Sequence, residues 1–398
     1  MTEIILIHQT LHQHFGWHGA RLRFLTLFLV ALFRVRTVNL SDLSVAMPSQ
    51  AQASSRYKRL QRFFSGFELN YGDWAKGMMN LMTIPQPWTL AIDRTNWKVG
   101  HTDHNILMLA VVHEGVAIPL LWWMLDKRGN SNQTERILLM EEFRDLFPDV
   151  KVASLTADRE FVGTDWFGYL LEDPKMPFRI RIRETELLFD GEESVNGKRL
   201  FEGLKVGERR VLKCERRLWG HWVQVAALKL LDGELMIIVT QRWVETAISN
   251  YGKRWAIETL FGILKSRGFN LEDTHLKEME RLSKLVALLT LAMVWAIRVG
   301  EWLTVQTPIP IKNHGRKAKS VFRVGCDHIR EAMFNLNQPT SQLWQTIQFC
   351  PVLRIFCPLA VAIFKACLWI VLTVMRLNSS GVQSSAKLRS RFSQRVLT

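Results

Sequence analysis

The spacing of apolar and polar positions changes character several times along the chain. Over residues 1–85 it is helical. The apolar run Phe24–Phe33 is flanked by Arg21, Arg23, Arg34 and Arg36. It is shorter than the roughly 20 residues a membrane span needs, so it reads as a buried helix in a small basic bundle. Ser54 or Ser55 is placed to cap a further helix that carries Arg56, Lys58, Arg59 and Arg62, with Phe63 and Phe64 on its apolar side. From residue 88 the apolar runs shorten, gain β-branched and aromatic residues, and are bounded by Gly, Asp or Asn. Leu90–Asp93, Asn105–His113 and Val116–Leu125 read as strands, the last two joined by a hairpin at Gly115. Thr134–Phe147 has helical spacing, with Ile137, Leu138, Met140 and Phe143 expected on its core side. Val152–Ala157 is a strand, Trp166–Leu171 a short helix and Phe178–Ile182 another strand. Three strands, then helix, strand, helix, strand, predict a mixed α/β sheet.

Residues 184–240 have a different texture. Arg209–Lys213, Trp222–Leu230 and Glu234–Thr240 are strand-like, with turns at Gly207, Gly220 and Gly233. They read as a separate β-rich insert. Long helices follow at about 246–268 and 276–300, and the Pro- and Lys-rich segment Thr307–Lys319 is a loop. The organisation expected is therefore a helical domain over 1–85 and a catalytic core built from 86–183 plus 241–300. The insert occupies 184–240 and a C-terminal region 301–398. Within that region Phe356–Met375 is strongly apolar but contains Lys365 and Pro358, and Leu377–Thr398 is Ser- and Arg-rich. A charge at mid-bilayer is costly, so no stable membrane association is expected. A subunit-pairing helix, a membrane segment or sequence appended by read-through or frameshift remain open for this stretch.

The 398 residues suit two or three structural units. Apolar residues make up 48%, enough for a sizeable core. Lys and Arg exceed Asp and Glu by 52 to 37, a formal charge of +15. Such a surplus points to a polyanionic partner, nucleic acid or an acidic membrane face. The basic helix at 56–62 is either a DNA-contacting surface or a solvated face. The five cysteines lack zinc-ligand spacing, and their odd number argues against a disulfide framework, which fits a reducing cytosol. His8, His12, His14 and His18 form two i,i+4 pairs, but no Cys or carboxylate completes a metal site. The N-terminus has no signal-peptide pattern.

Candidate chemistry centres on three acids. Asp93 ends the first predicted strand in Ala-Ile-Asp-Arg-Thr-Asn-Trp, and Asp158 ends the fourth in Leu-Thr-Ala-Asp-Arg-Glu-Phe. Functional groups gather at the C-terminal ends of strands in α/β sheets. If the two strands are neighbours, the carboxylates converge. The helix at 246–268 supplies Tyr251, Arg254, Glu258 and Lys265. At about 100° per residue these four fall within roughly 60° of one another, on a helix otherwise lined by Ile257, Leu260, Phe261 and Leu264. A solvated, salt-bridged face is the plain alternative for that stripe. Arg179, Arg181 and Arg183 alternate with apolar residues, marking either a DNA-facing stripe or a solvated edge strand. Arg159 and Glu160 are candidates for supporting Asp158.

The spacing Tyr251-x2-Arg254-x3-Glu258-x6-Lys265 resembles the signature of the insertion-sequence-4 family of transposases. Asp93 and Asp158 are similar in context to the first two acids of that family's DDE triad, and the resemblance spans about residues 20–300. It implies an RNase H-like core in which a β-rich insertion separates the second Asp from the Glu. It also implies cut-and-paste movement of a DNA element bounded by inverted repeats, with a hairpin intermediate. The expected catalytic and metal-binding residues are Asp93, Asp158 and Glu258. Three converging carboxylates repel without a cation, and oxygen-only donors favour Mg²⁺ or Mn²⁺. Two such ions are expected, clamping the attacking and leaving oxygens of a phosphoryl transfer. Asp93 would bridge both ions, with Asp158 and Glu258 holding one each. Tyr251, Arg254 and Lys265 would contact phosphates near the scissile bond, joined by Arg56, Lys58, Arg59 and Arg62 from the N-terminal domain. Trp219 or Trp222 is either a core or strand residue or a platform for a flipped base.

The expected partners are double-stranded DNA, as terminal repeats and as target, and a second copy of the chain, since two element ends must be joined. The expected location is the bacterial cytoplasm, at the nucleoid. Two further readings stand beside this one. A related two-metal nuclease would cleave without joining, and a catalytically silent remnant would bind without cleaving. A glycosidase also uses paired carboxylates, but the basic charge and helix stripe disfavour it.

Overall fold

The structure is a computed structural model that describes His8 and residues 18–172, 176–313 and 315–334. The apolar stretch Phe356–Met375 and the tail Leu377–Thr398 lie outside the described residues, as do His12 and His14. Among the described residues four helices precede the sheet: α1 (Gly19–Val35), α2 (Leu40–Ala46), α3 (Ala53–Gly66) and α4 (Tyr71–Met82). Every residue of Phe24–Phe33 in α1 is buried. Phe24 stacks on Phe63 of α3 at 4.0 Å. Phe33 meets Trp295 edge-on at 5.4 Å, in the helix α10 described below. Capping differs from expectation, since α3 begins at Ala53 and Ser54 and Ser55 fall inside its first turn.

The sheet is built on β1 (Trp88–Val99), β2 (Thr102–His113), β3 (Val116–Met124), β4 (Val152–Ala157) and β5 (Phe178–Ile182), in the order β3-β2-β1-β4-β5. β1, β2 and β3 pair antiparallel, while β1, β4 and β5 run parallel. Helix α5 (Gln133–Leu146) and helix α6 (Thr164–Leu171) make the crossovers. Asn132 and Glu135 close a reciprocal cap at the start of α5. Leu138, expected on the core side of that helix, is exposed, while Leu139, Met140 and Phe143 are buried.

The β-rich stretch contains β6 (Leu187–Phe189), β7 (Ser194–Asn196), helix α7 (Gly197–Leu200), β8 (Arg209–Val211), β9 (Arg216–Leu218), β10 (His221–Lys229) and β11 (Leu235–Thr240). These strands do not stand apart from the core. β11 pairs antiparallel with β5, and β10 with β11, so one sheet continues through both regions. β5 is consequently central, which corrects the reading of Arg179, Arg181 and Arg183 as a solvated edge-strand stripe. Arg179 is 1% exposed, and Arg181 pairs with Glu234 at 2.6 Å.

The expected helix at 246–268 is a chain of short turns of different pitch. It comprises α8 (Ala247–Tyr251), a 3₁₀ turn at Gly252–Arg254, α9 (Trp255–Gly262) and a π turn at Ile263–Arg267. α9 buries Ala256, Ile257, Leu260 and Phe261. α10 (Met279–Gln306) and α11 (Val321–Phe334) complete the described chain. Among the described residues α10 is the one unbroken helix long and apolar enough to cross a membrane, but 89% of its most apolar window is buried inside the protein. That pattern marks the core helix of a helical layer. α10 and α11 approach closely through glycine: a Cβ on Gly325 would stand 1.8 Å from the Ala296 carbonyl oxygen, and one on Gly300 2.0 Å from that of Val321.

Candidate active site

Sheet register brings the first two acids together. Ile92 of β1 is aligned with Ala157 of β4. Asp93 and Asp158 are the next residues along each chain, so they emerge side by side, about one strand spacing (roughly 4.8 Å) apart. Asp93 does not end its strand, as the sequence suggested. β1 continues to Val99, paired with β2 alone. What ends there is its parallel neighbour β4, and this opens the space into which Asp93 projects.

The third acid arrives on α9. Ala247 and Tyr251 pack with Ile238 of β11, with Met236 and Ile248 against them, and this seats the helical chain over the strand ends. From that seat Tyr251 donates its hydroxyl to Asp158 Oδ1 at 3.3 Å. Arg254 is buried and donates through Nη1 to Asp93 Oδ2 at 3.1 Å and through Nη2 to Glu258 Oε1 at 2.5 Å. Its guanidinium also lies over the Tyr251 ring, 5.6 Å from the centroid. The 3₁₀ turn between Tyr251 and α9 does not separate the stripe, and Tyr251, Arg254 and Glu258 all face the strand-end acids. Lys265 lies further along, donating to the Asn96 carbonyl and pairing with Glu272, both at 3.0 Å, with its ammonium over the Trp97 ring.

Sequence reasoning missed the support beneath Asp93. The Arg94 backbone N–H donates to Asp93 Oδ1 at 2.7 Å. The Arg94 side chain grips Glu160 with two bonds, Nε to Oε1 at 3.2 Å and Nη2 to Oε2 at 3.3 Å. It also donates to Asn105 and Asn130. One residue therefore ties the Asp93 strand to the loop after Asp158. The repeated Asp-Arg pair at 93–94 and 158–159 was the available signal. Arg159 itself turns to Glu234 at 3.3 Å, in the turn between β10 and β11.

Electrostatics follow from this geometry. Burial pushes the Asp93 carboxyl up to about 7, with Glu160 and Asp158 adding repulsion and the Arg94 N–H and Arg254 charge opposing it. Burial also raises the Tyr251 phenol, keeping it a neutral donor. Burial acts to lower the Arg254 pKa, but the surrounding acidic groups, Asp93 and Asp158 among them, and the Glu258 hydrogen bond outweigh it, so the net direction is up.

The donor chemistry suits a hard divalent cation, because Asp93, Asp158 and Glu258 present oxygens only. The fold already places one positive charge among them, the Arg254 guanidinium bridging Asp93 and Glu258. In this arrangement no three His, Cys, Asp or Glu side chains among the described residues converge closely enough to hold a metal. The guanidinium fills the gap a cation would take. The three carboxylates thus fit Mg²⁺ in kind, and a metal there would have to displace Arg254 from between Asp93 and Glu258.

Other expected site residues are placed elsewhere. Val225 of β10 is aligned with Val239, Ile180 and Ala157 across the sheet. Trp222 lies three residues toward the opposite end of the sheet and three strands over from β4, on the order of 20 Å from Asp158. Trp219 packs its ring on Phe167 at 5.0 Å. Neither joins the acids. In α3, Arg56 is spent on the Met47 carbonyl at 2.6 Å. Arg59 is half-buried, while Lys58 and Arg62 are exposed, and Arg59 is lowered by burial and by the neighbouring charges of Arg23 and Arg62.

Fold and site together define an α/β protein with an acidic centre at the C-terminal ends of parallel strands, closed by a helix that carries one more acid and a cation. Residues 84–295, more than half of the chain, match the family model described as transposase DDE domain. The chain belongs to that family, and is a transposase by that membership. Among solved structures it is similar to a piggyBac transposase synaptic complex with hairpin DNA, at 12% identity and TM-score 0.43, over 90% of this chain and 84% of that one. It is also similar to an endonuclease V from Bacillus subtilis, at 9% identity and TM-score 0.27, over 53% of this chain and 90% of that one. No curated protein matches the chain at a significant level.

Proposed function

We propose that this chain is a cut-and-paste DNA transposase of the insertion-sequence-4 type, with Asp93, Asp158 and Glu258 as its catalytic acids. The observation that carries the reading is the docking of Tyr251, Arg254 and Glu258 from one helical segment onto two acids that sheet register sets side by side. An RNase H-like core is supported by the order β3-β2-β1-β4-β5, three antiparallel strands followed by two parallel additions. Asp93, Asp158 and Glu258 would hold Mg²⁺ or Mn²⁺. Bound there, the ions would stabilise charge on the attacking and leaving oxygens of phosphodiester exchange.

The chain's own residues do the rest. Arg94 fixes Asp93 and the Asp158 loop at one separation. A phosphate entering the site competes with Asp93 and Glu258 for Arg254, drawing the guanidinium off the carboxylates and onto the DNA strand. Tyr251 is held neutral and can donate to a phosphate oxygen in place of Asp158, and Lys265 adds charge beside the Asn96 end of β1. Lys58 and Arg62, with Arg59, would hold duplex DNA away from the site. A homodimer acting on two element ends at the bacterial nucleoid completes the proposal.

The test is incubation of the full chain with Mg²⁺ and labelled DNA carrying the inverted repeats that flank its gene. Excised and joined products are expected from the wild type and neither from Asp93→Asn. Cleavage without any joined product would instead mark a nuclease, and binding without cleavage a silent remnant.

A further inference from the structure

The acidic centre uses one end of the parallel strands. A second concavity, of about 360 Å³, opens at the other end of β1 and β4, beneath the chain that leads from β11 into α8. Thr89 contributes to it, four residues before Asp93 and hence about 13 Å from it along β1. Its charged lining consists of Arg179, Arg242 and Lys253, with no carboxylate. Among the described residues none of these three cations has an acidic partner within ion-pair distance.

Arg179 is built into the floor. It is 1% exposed, and its Nη1 donates to the Phe178 carbonyl and to Thr240 Oγ1. Its Nε, fully buried, has no partner among the described residues. A buried guanidinium N–H left unmatched is expensive, and the side chain that carries it lines the cleft. Thr240 Oγ1 also donates to the Arg242 carbonyl, so one hydroxyl organises both arginines. Arg242 in turn lies over the ring of Trp243, 4.5 Å from its centroid. Trp243 is 55% exposed and held at φ 59, a left-handed backbone that a bulky residue adopts only under constraint. The constraint keeps an indole at the rim instead of in the core. Burial and the nearby Arg242 charge both lower the Arg179 pKa, the mark of cations crowded without a counter-ion.

We propose that this cleft is a second phosphate-binding site, taking a phosphate group between Arg179, Arg242 and Lys253 and stacking the adjoining base on Trp243. Three unmatched cations supply the charge for a phosphate. The indole beside them supplies the sequence-tolerant stacking that single strands favour. The site faces away from the acids, so it would hold nucleic acid that is not being cut. Its existence does not depend on the transposase reading, which enters only in naming DNA as the source of the phosphate.

The test uses the full chain in EDTA, where cleavage cannot contribute. Probes are dAMP, by calorimetry, and a fluorescein-labelled ten-nucleotide single strand, by anisotropy across a salt series. Arg242, Trp243 and Lys253 are all exposed, so Arg242→Gln/Lys253→Gln and Trp243→Leu leave the core intact. The double variant is expected to weaken binding of the strand at least tenfold and to lower the salt slope by about 1.4, at roughly 0.7 per phosphate contact on a single strand. Trp243→Leu, which changes no charge, is expected to weaken binding about five- to fiftyfold with the slope unchanged. A charge-matched surface pair, Lys198→Gln/Arg199→Gln, should change affinity by less than threefold. Tighter binding of the strand than of dAMP assigns the site to DNA, and equal binding of both, lost together in the variants, assigns it to a free nucleotide. Wild-type affinity and salt slope in both cleft variants would overturn the proposal. Failure of the wild type to cleave repeat-bearing DNA in Mg²⁺, with cleft binding in EDTA intact, would count against the transposase reading alone.

Discussion

Replacing Asp93 with Asn should make the protein more stable and its stability less sensitive to pH. The Asp93 side chain is 15% exposed, and its carboxyl rises from 3.8 to about 7 through burial. A carboxyl whose folded pKa is raised binds its proton more tightly in the folded chain than in the unfolded one. Its contribution to stability is therefore full below about pH 4 and is lost as pH climbs through about 7. A rise of about three units corresponds to about 4 kcal/mol in all. Of that, about 2.5 kcal/mol falls between pH 5 and pH 8, the rest lying below pH 5. The amide introduced by Asp93→Asn keeps an acceptor for the Arg94 N–H and never ionises. Urea denaturation of both proteins in EDTA at several pH values would measure the difference. The two stabilities should diverge with rising pH, the wild type falling by about 2.5 kcal/mol relative to Asp93→Asn from pH 5 to pH 8. Millimolar Mg²⁺ should then stabilise the wild type at pH 8 and leave the variant unmoved, because a ligand that binds only the folded state adds its binding free energy. Parallel curves across the whole range would refute the reasoning, showing that Asp93 is not held in a charge-averse site.

Arg94→Gln removes both bonds to a half-buried Glu160 and should cost about 2–4 kcal/mol in denaturant melts, with DNA cleavage falling much further than DNA binding measured in EDTA. Gly325→Ala forces a methyl against the Ala296 carbonyl and should destabilise by about 3 kcal/mol or more. The control Gly77→Ala has open space around it inside α4 and should gain about 0.5–1 kcal/mol, both read by thermal unfolding. Lys58→Gln/Arg62→Gln should lower the salt slope of duplex binding by about two. Arg56→Gln, which loses its bond to the Met47 carbonyl, should lower Tm with the slope little changed.

Much of the fold was legible because it rests on periodicity. Val152–Ala157 and Phe178–Ile182 were placed to the residue, since each is a short apolar run bounded by turn residues on both sides. β1 was read six residues too short at its C-terminal end, because Asp93, Arg94, Asn96 and Lys98 interrupt its apolar pattern. That extension pairs with β2 alone and so needs no continuous apolar run. The centrality of β5 was hidden for a related reason. Arg179 and Arg181 look like solvated positions until Thr240 and Glu234, more than fifty residues away, are seen to bond them. The three acids were singled out from spacing and a family resemblance, whereas Arg94 beneath Asp93 was not. Arg94 and Glu160 lie 66 residues apart, and only the parallel register of β1 and β4 brings them together.

Arg254 joins the energetic and functional sides of the site. Asp93 within β1 and Asp158 just past β4 stand side by side, and burial beside a second acid makes a charge on Asp93 costly unless positive charge is near. The fold answers in two ways, protonating Asp93 up to about neutral pH and bridging Asp93 to Glu258 with a guanidinium. Both answers are reversible, which a structural role alone would not require. An apolar replacement of the same volume could fill the space with no loss of stability, as buried ion pairs often can be replaced. Under the proposed function, the acids are kept at that cost in stability because an incoming cation would take over their charge. Arg254 would then be free to meet the phosphate that comes with it. The same argument explains why Tyr251 and Arg254 share one helical segment with Glu258. Each binds a carboxylate now and can donate the same hydrogen to a phosphate oxygen later, so the groups that hold the centre closed are the groups that would receive the strand.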